Sequence, residues 1–121
     1  MKNLITFVLL FSSFNIFADL KQNLDKDIDN LMEKVIEWRH DIHEHPELGN
    51  REFRTSKKIE DHLRSLGIKV ETNIAYTGVV GMLEGDLPGP TMALRADMDA
   101  LPVEEKTGLP FASKVRTTYL G

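Results

Sequence analysis

The chain has 121 residues, a formal net charge of −4, 41% hydrophobic residues and no cysteine. That length holds one small domain at most. The acidic balance argues against nucleic acid as a partner, which needs a basic footprint, and the lack of cysteine removes disulfides and thiolate metal sites together.

Residues 1–18 differ in composition from the rest. Lys2 is the only charge before Asp19, and an apolar run from Leu4 to Phe11 continues less purely to Phe17 and Ala18. A basic start, an apolar middle and a small residue before a polar stretch predict a signal peptide, with cleavage after Ala18. Ser12, Ser13 and Asn15 break the run, which falls short of the ~20 apolar residues of a membrane span. The expected location is secreted or periplasmic, with no stable membrane span after cleavage; an uncleaved N-terminal anchor is the alternative. No cysteine follows the run, which excludes a lipoprotein.

Residues 20–43 predict a helix. Leu24, Ile28, Leu31, Met32, Val35, Ile36 and Ile42 recur mostly at steps of three or four and share one face, while Lys26, Asp29, Glu33 and Glu37 occupy the other. His45–Asn50 is a loop, because Pro46 disfavours helix in the residue before it and Gly49-Asn50 is a turn dipeptide. A second helix is expected from Phe53 to Leu66, with Ile59, Leu63 and Leu66 on its apolar face and Gly67 as its left-handed stop. The period then changes to two. Ile68–Thr72 alternates as a half-buried strand does, and Thr77–Leu83 is a second strand candidate. Glu84–Pro90, with two Gly and two Pro, is a turn. Thr91–Ala96 is mostly apolar and predicts a third, interior strand. Two helices followed by strands predict an α/β layer, and burial in so short a chain is marginal.

Asp97-x-Asp99 is the sharpest local signal, because it follows an apolar strand candidate, where sites of open α/β sheets form. Two such carboxylates can share a cation, orient a histidine ligand or serve in acid–base chemistry. Equally, Asp97 can cap a turn and Asp99 can be solvated. His40-x-x-His43 has a spacing that holds zinc on a helix, but no His-Glu-x-x-His pattern completes it; a polar helix end with satisfied histidines is the plainer reading. His45 lies in the loop, and His62, among Glu60, Asp61 and Arg64, reads as part of a solvated face. Gly78 and Gly81 lack the Gly-Lys-Ser/Thr of a phosphate loop and read as bulge or turn glycines. No Gly-x-Ser-x-Gly elbow supports a serine hydrolase.

The order of these pieces resembles the amidohydrolase branch of the M20 peptidase family, which includes hippurate hydrolases, N-acyl-amino-acid amidohydrolases and auxin-conjugate hydrolases. The resemblance rests on Trp38–Gly49, Glu52, Thr55, Tyr76–Gly81, Leu94–Val103 and the stretch from Glu104 to Ser113. It implies that residues 19–121 are the N-terminal part of a zinc-peptidase-like catalytic domain, with a mixed sheet between helices. It also implies two divalent ions, zinc or manganese, that activate water against an amide carbonyl, with a Glu as general base. The implied substrate is an N-acyl amino acid or small peptide, and family members are often homo-oligomeric. The resemblance places Asp99 beside a metal-binding His and Asp97 at a site-lining position where other branches carry a metal-binding His. The branch's own ligands lie in a His-x-Cys-Gly-His-Asp segment, a Glu-Glu pair and two further His, none of which is present, so no metal ligand and no activity are expected of these residues alone.

Two other readings compete. A truncated, non-catalytic product would keep the start of the fold without its chemistry. A strand followed by Asp-x-Asp is also similar to haloacid-dehalogenase-like phosphatases, where the first Asp is the nucleophile, but Ala100-Leu101-Pro102 stands where a Gly-Thr pair would follow.

Overall fold

A computed structural model describes residues 2–119, and the surroundings of side chains from residue 19 onward. The expected signal peptide, residues 1–18, lies outside the residues described with side chains. The elements in chain order are α1 (Lys2–Glu44), α2 (Phe53–Ser65), β1 (Lys69–Ile74) and β2 (Gly78–Met82). The chain divides into two units, residues 1–39 and residues 40–121.

The first unit is the body of α1. Its apolar stripe between Leu20 and Ile36 is exposed: Leu24 is 57% exposed, Leu31 56% and Val35 47%. Lys21 pairs with Asp25 at 2.6 Å and Lys34 with Glu37 at 2.9 Å, spacings that place opposite charges one turn apart. The Lys34 ammonium also lies 5.6 Å from the centre of the Trp38 ring.

The second unit begins in the last turn of α1 and carries α2, β1 and β2. The strands pair antiparallel, Lys69 opposite Met82 and Val70 opposite Gly81, with a bulge between Glu71 and Ile74. Two glycines make this hairpin and its packing possible. A Cβ at Gly78 would lie 2.5 Å from the Ile74 carbonyl oxygen, inside the backbone of the opposite strand. A Cβ at Gly81 would lie 3.2 Å from Leu63 Cδ1 and 3.2 Å from Ile68 Cγ2, so a larger residue here would press on α2. Gly67 has φ +75° and ends α2 in the left-handed conformation that its lack of Cβ allows.

The expected third strand at Thr91–Ala96 does not form; among the described residues the sheet has two strands. Instead of being interior, Met92 is 85% exposed and Leu94 97%. An apolar run becomes a strand only when a neighbour satisfies its N–H and C=O groups, and no strand lies alongside it here. Among the described residues, pairing in the parallel sense occurs as a single bridge between Leu48 and Ala100. The mixed sheet of the sequence reading is therefore an antiparallel pair together with one parallel bridge.

Apolar burial is slight. Leu48 and Val70 are the buried hydrophobic residues among those described, while Glu52, Thr55 and Thr77 are buried polar ones. Polar anchoring therefore carries much of the order in the second unit.

Candidate functional site

The segment from Asp41 to Glu52 is the hub of this anchoring. The Asp41 carboxylate accepts from Arg54 Nη2 at 2.6 Å and from Lys58 Nζ, both on α2. These donors, Arg54 first, hold its pKa down at about 2. His45 Nδ1 lies 2.9 Å from the Asp41 carbonyl oxygen; a carbonyl only accepts, so Nδ1 carries the proton.

Glu47 has two attachments. Its carboxylate accepts from the backbone N–H of Arg54 at 3.0 Å and of Thr55 at 2.8 Å. These are among the first amides of α2, which have no partner within the helix, so a carboxylate several residues upstream caps it from outside. The Glu47 carbonyl oxygen also accepts the Ala100 N–H at 2.7 Å, beside the Leu48–Ala100 bridge. Glu52, 6% exposed, accepts the hydroxyl of Thr77, which is 5% exposed. Burial pushes the Glu52 carboxyl up, but the Thr77 hydroxyl and the amides of Glu52, Asn50 and Arg51 together bring it below its ordinary value.

A second cluster ties the C-terminal segment to the end of α1. His40 stacks on Phe111 with ring centres 3.7 Å apart, and His43 meets the same ring edge-on at 5.6 Å. His43 Nε2 lies 2.9 Å from Glu105 Oε1. Glu105 also accepts from the Thr107 hydroxyl and from the Ser113 N–H, the latter at 2.6 Å. His43 first, then Thr107 and Ser113, hold the Glu105 carboxyl down at about 2. His40-x-x-His43 thus brackets an aromatic ring and grips a carboxylate.

Asp97 and Asp99 are both exposed. Asp97 pairs with Arg95 at 2.8 Å. Asp99 lies beside Gly49, near the end of the hub: a methyl group built at Gly49 would stand 3.7 Å from Asp99 Oδ2. Sequence reasoning missed Glu47, Glu52 and Glu105 as organising residues. A carboxylate shortly before a helix start was the available signal for Glu47, whereas nothing local marks Glu105, whose partner His43 is 62 positions away.

Among the described residues, no group of three or more His, Cys, Asp or Glu side chains is placed to hold a metal ion. These residues alone therefore do not fit a metal centre. A cleft of about 180 Å³ lined by Pro46, Glu47, Leu48, Arg51, Val115 and Thr117 is smaller than the ~300–1,000 Å³ of small-molecule sites. Neither Asp97 nor Asp99 lines it. No helix among the described residues is long and apolar enough to cross a membrane.

No family model matches the chain. Curated proteins do. The chain is 50% identical over 99 residues to thermostable carboxypeptidase 1 of Saccharolobus solfataricus, covering 81% of this chain and 25% of that protein. It is 45% identical over 92 residues to hippurate hydrolase of Campylobacter jejuni, covering 76% of this chain and 24% of the relative. A Bacillus subtilis crystal structure described as a dinuclear metal binding peptidase from the M20 family superposes with a TM-score of 0.67 at 44% identity, over 72% of this chain and 25% of that one. The chain thus spans about a quarter of the length of the relatives it matches. By sequence and by fold it belongs to the M20 family of peptidases and amidohydrolases, of which it carries the N-terminal quarter.

Proposed function

We propose that these residues are the opening part of a metal-dependent amidohydrolase that cleaves the amide bond of N-acyl amino acids or small peptides, and that the 121 residues alone do not catalyse the reaction. The observation that carries the reading is the 50% identity to a carboxypeptidase and 45% identity to a hippurate hydrolase, joined to a matching fold in a dinuclear metal binding peptidase. Inactivity of the isolated chain is supported by the scattered donors, which leave no three ligands together among the described residues. The exposure of Met92, Leu94, Leu101 and Val103 is also what a part of a larger domain leaves uncovered. In the complete site two zinc or manganese ions would supply a nucleophilic water and polarise the amide carbonyl. Asp99, with Asp97 near it, would line that site without ligating from this segment alone. The composition of residues 1–18 supports export to the periplasm or beyond, and family resemblance alone supports a homo-oligomer.

The test is a chimera in which the aligned residues of this chain replace the matching quarter of the Bacillus subtilis peptidase. The chimera, loaded with zinc or manganese, is expected to hydrolyse N-acyl amino acids, and the isolated chain to show no turnover under the same conditions. A chimera that folds and binds its metals but hydrolyses no amide would refute the reading. Turnover by the isolated chain would refute its inactivity.

A further inference from the structure

We propose that Glu47 is a positioning residue for the Asp97-x-Asp99 loop: its carboxylate locks onto the start of α2 while its own carbonyl holds the loop at Ala100. The loop is exposed, and nothing in its own sequence fixes it. Met92, Leu94, Asp97 and Asp99 are all exposed, and among the described residues Asp97 pairs with its near neighbour Arg95.

What orders the loop comes from the other end of the unit. The Ala100 N–H donates to the Glu47 carbonyl at 2.7 Å, and Leu48, 9% exposed, forms the parallel bridge to Ala100. Gly49 then runs under Asp99 Oδ2. A main-chain contact of this kind is only as well placed as the residue that offers it. Glu47 precedes α2 by several residues and follows Pro46, so its backbone has no helix or ladder of its own beyond the single bridge. Its carboxylate supplies the missing constraint by gripping the Arg54 and Thr55 amides at 3.0 and 2.8 Å. Thr55 is 1% exposed, so this end of α2 is the most enclosed point of the unit.

Further along the chain, Glu105 fixes the stretch after the loop to His43 at 2.9 Å. The chain leaving the loop is therefore held at Ala100 by Glu47 and at Glu105 by His43, two residues four apart. The importance of a well-placed Asp99 rests on the amidohydrolase reading; the attachment through Glu47 does not.

The test uses the 121-residue chain, without metal or substrate. Backbone amide exchange and the Asp99 carboxyl carbon resonance are followed in the natural chain, Glu47→Gln and Glu47→Ala. The bond at Ala100 is made by the backbone of residue 47, which neither substitution removes, so its response reports placement. In Glu47→Ala, exchange at Arg54, Thr55 and Ala100 is expected to accelerate by on the order of tenfold. The Asp99 resonance should shift, while the amides of β1 and β2 stay as they are. Glu47→Gln, which keeps one acceptor oxygen, is expected to fall between. Should Arg54 and Thr55 respond while Ala100 and Asp99 do not, Glu47 is a helix cap only and the proposal is wrong. If Glu47→Ala unfolds the unit, seen as loss of protection in β1 and β2, Glu47→Gln decides alone: an unmoved Ala100 amide overturns the proposal. Because no turnover is read, a chimera that fails to hydrolyse leaves this result standing.

Discussion

Asp41→Asn removes the charge that joins the end of α1 to α2 without changing side-chain size. The Asp41 carboxyl is lowered from 3.8 to about 2 by Arg54 and then Lys58. Carried over in full, that lowering corresponds to about 2.4 kcal/mol. The side chain is 26% exposed and its partner Arg54 is 42% exposed, so water and salt reduce the figure to about 1 kcal/mol. The sign follows from the direction. A carboxyl with a depressed folded-state pKa stabilises the fold above its unfolded value, and that stabilisation fades as pH falls from 3.8 towards 2. Urea unfolding, followed through the amide resonances of β1 and β2, should therefore find Asp41→Asn less stable than the natural chain by about 1 kcal/mol near neutral pH. The difference should shrink steadily through the acid range. A gap of the same size near neutrality and in acid would refute the ion-pair account. So would an Asp41 carboxyl titrating near 3.8.

Gly78→Ala and Gly81→Ala should separate sharply in stability. The Cβ at Gly78 would meet backbone at 2.5 Å, whereas that at Gly81 would meet the movable ends of Leu63 and Ile68 at 3.2 Å. The first is expected to cost about 2–3 kcal/mol and the second less than about 1 kcal/mol, read from denaturant midpoints; equal costs would contradict the register of the hairpin. Thr77→Val removes the hydroxyl that Glu52 accepts inside the unit. Its expected cost is about 1–3 kcal/mol, and the Glu52 carboxyl should titrate higher than in the natural chain, because the Thr77 hydroxyl is the first of the donors that lower it. Carboxyl carbon resonances followed through the acid range check the direction; a Glu52 titration unmoved by the substitution would show that the hydroxyl does not act on it.

Local pattern alone carries the two helices, the hairpin and the left-handed stop at Gly67. In α2 the apolar residues recur at helical spacing, and in β1 exposed and less exposed residues alternate from Lys69 to Asn73, so the pattern that marks each element lies inside it. The motifs from Trp38 to Gly49 and from Leu94 to Val103 likewise carry the family resemblance without any knowledge of shape. The tertiary structure decided the rest. Thr91–Ala96 has a strand's composition, but a strand also needs neighbouring N–H and C=O groups, and none is offered there. His40 and His43 have a ligand's spacing, yet their surroundings are Phe111 and Glu105, more than 60 residues on. Glu47 is unremarkable as a letter in the chain. Its role arises because its side chain reaches the open amides of α2 while its carbonyl faces Ala100, a coincidence of two directions that only the folded backbone creates.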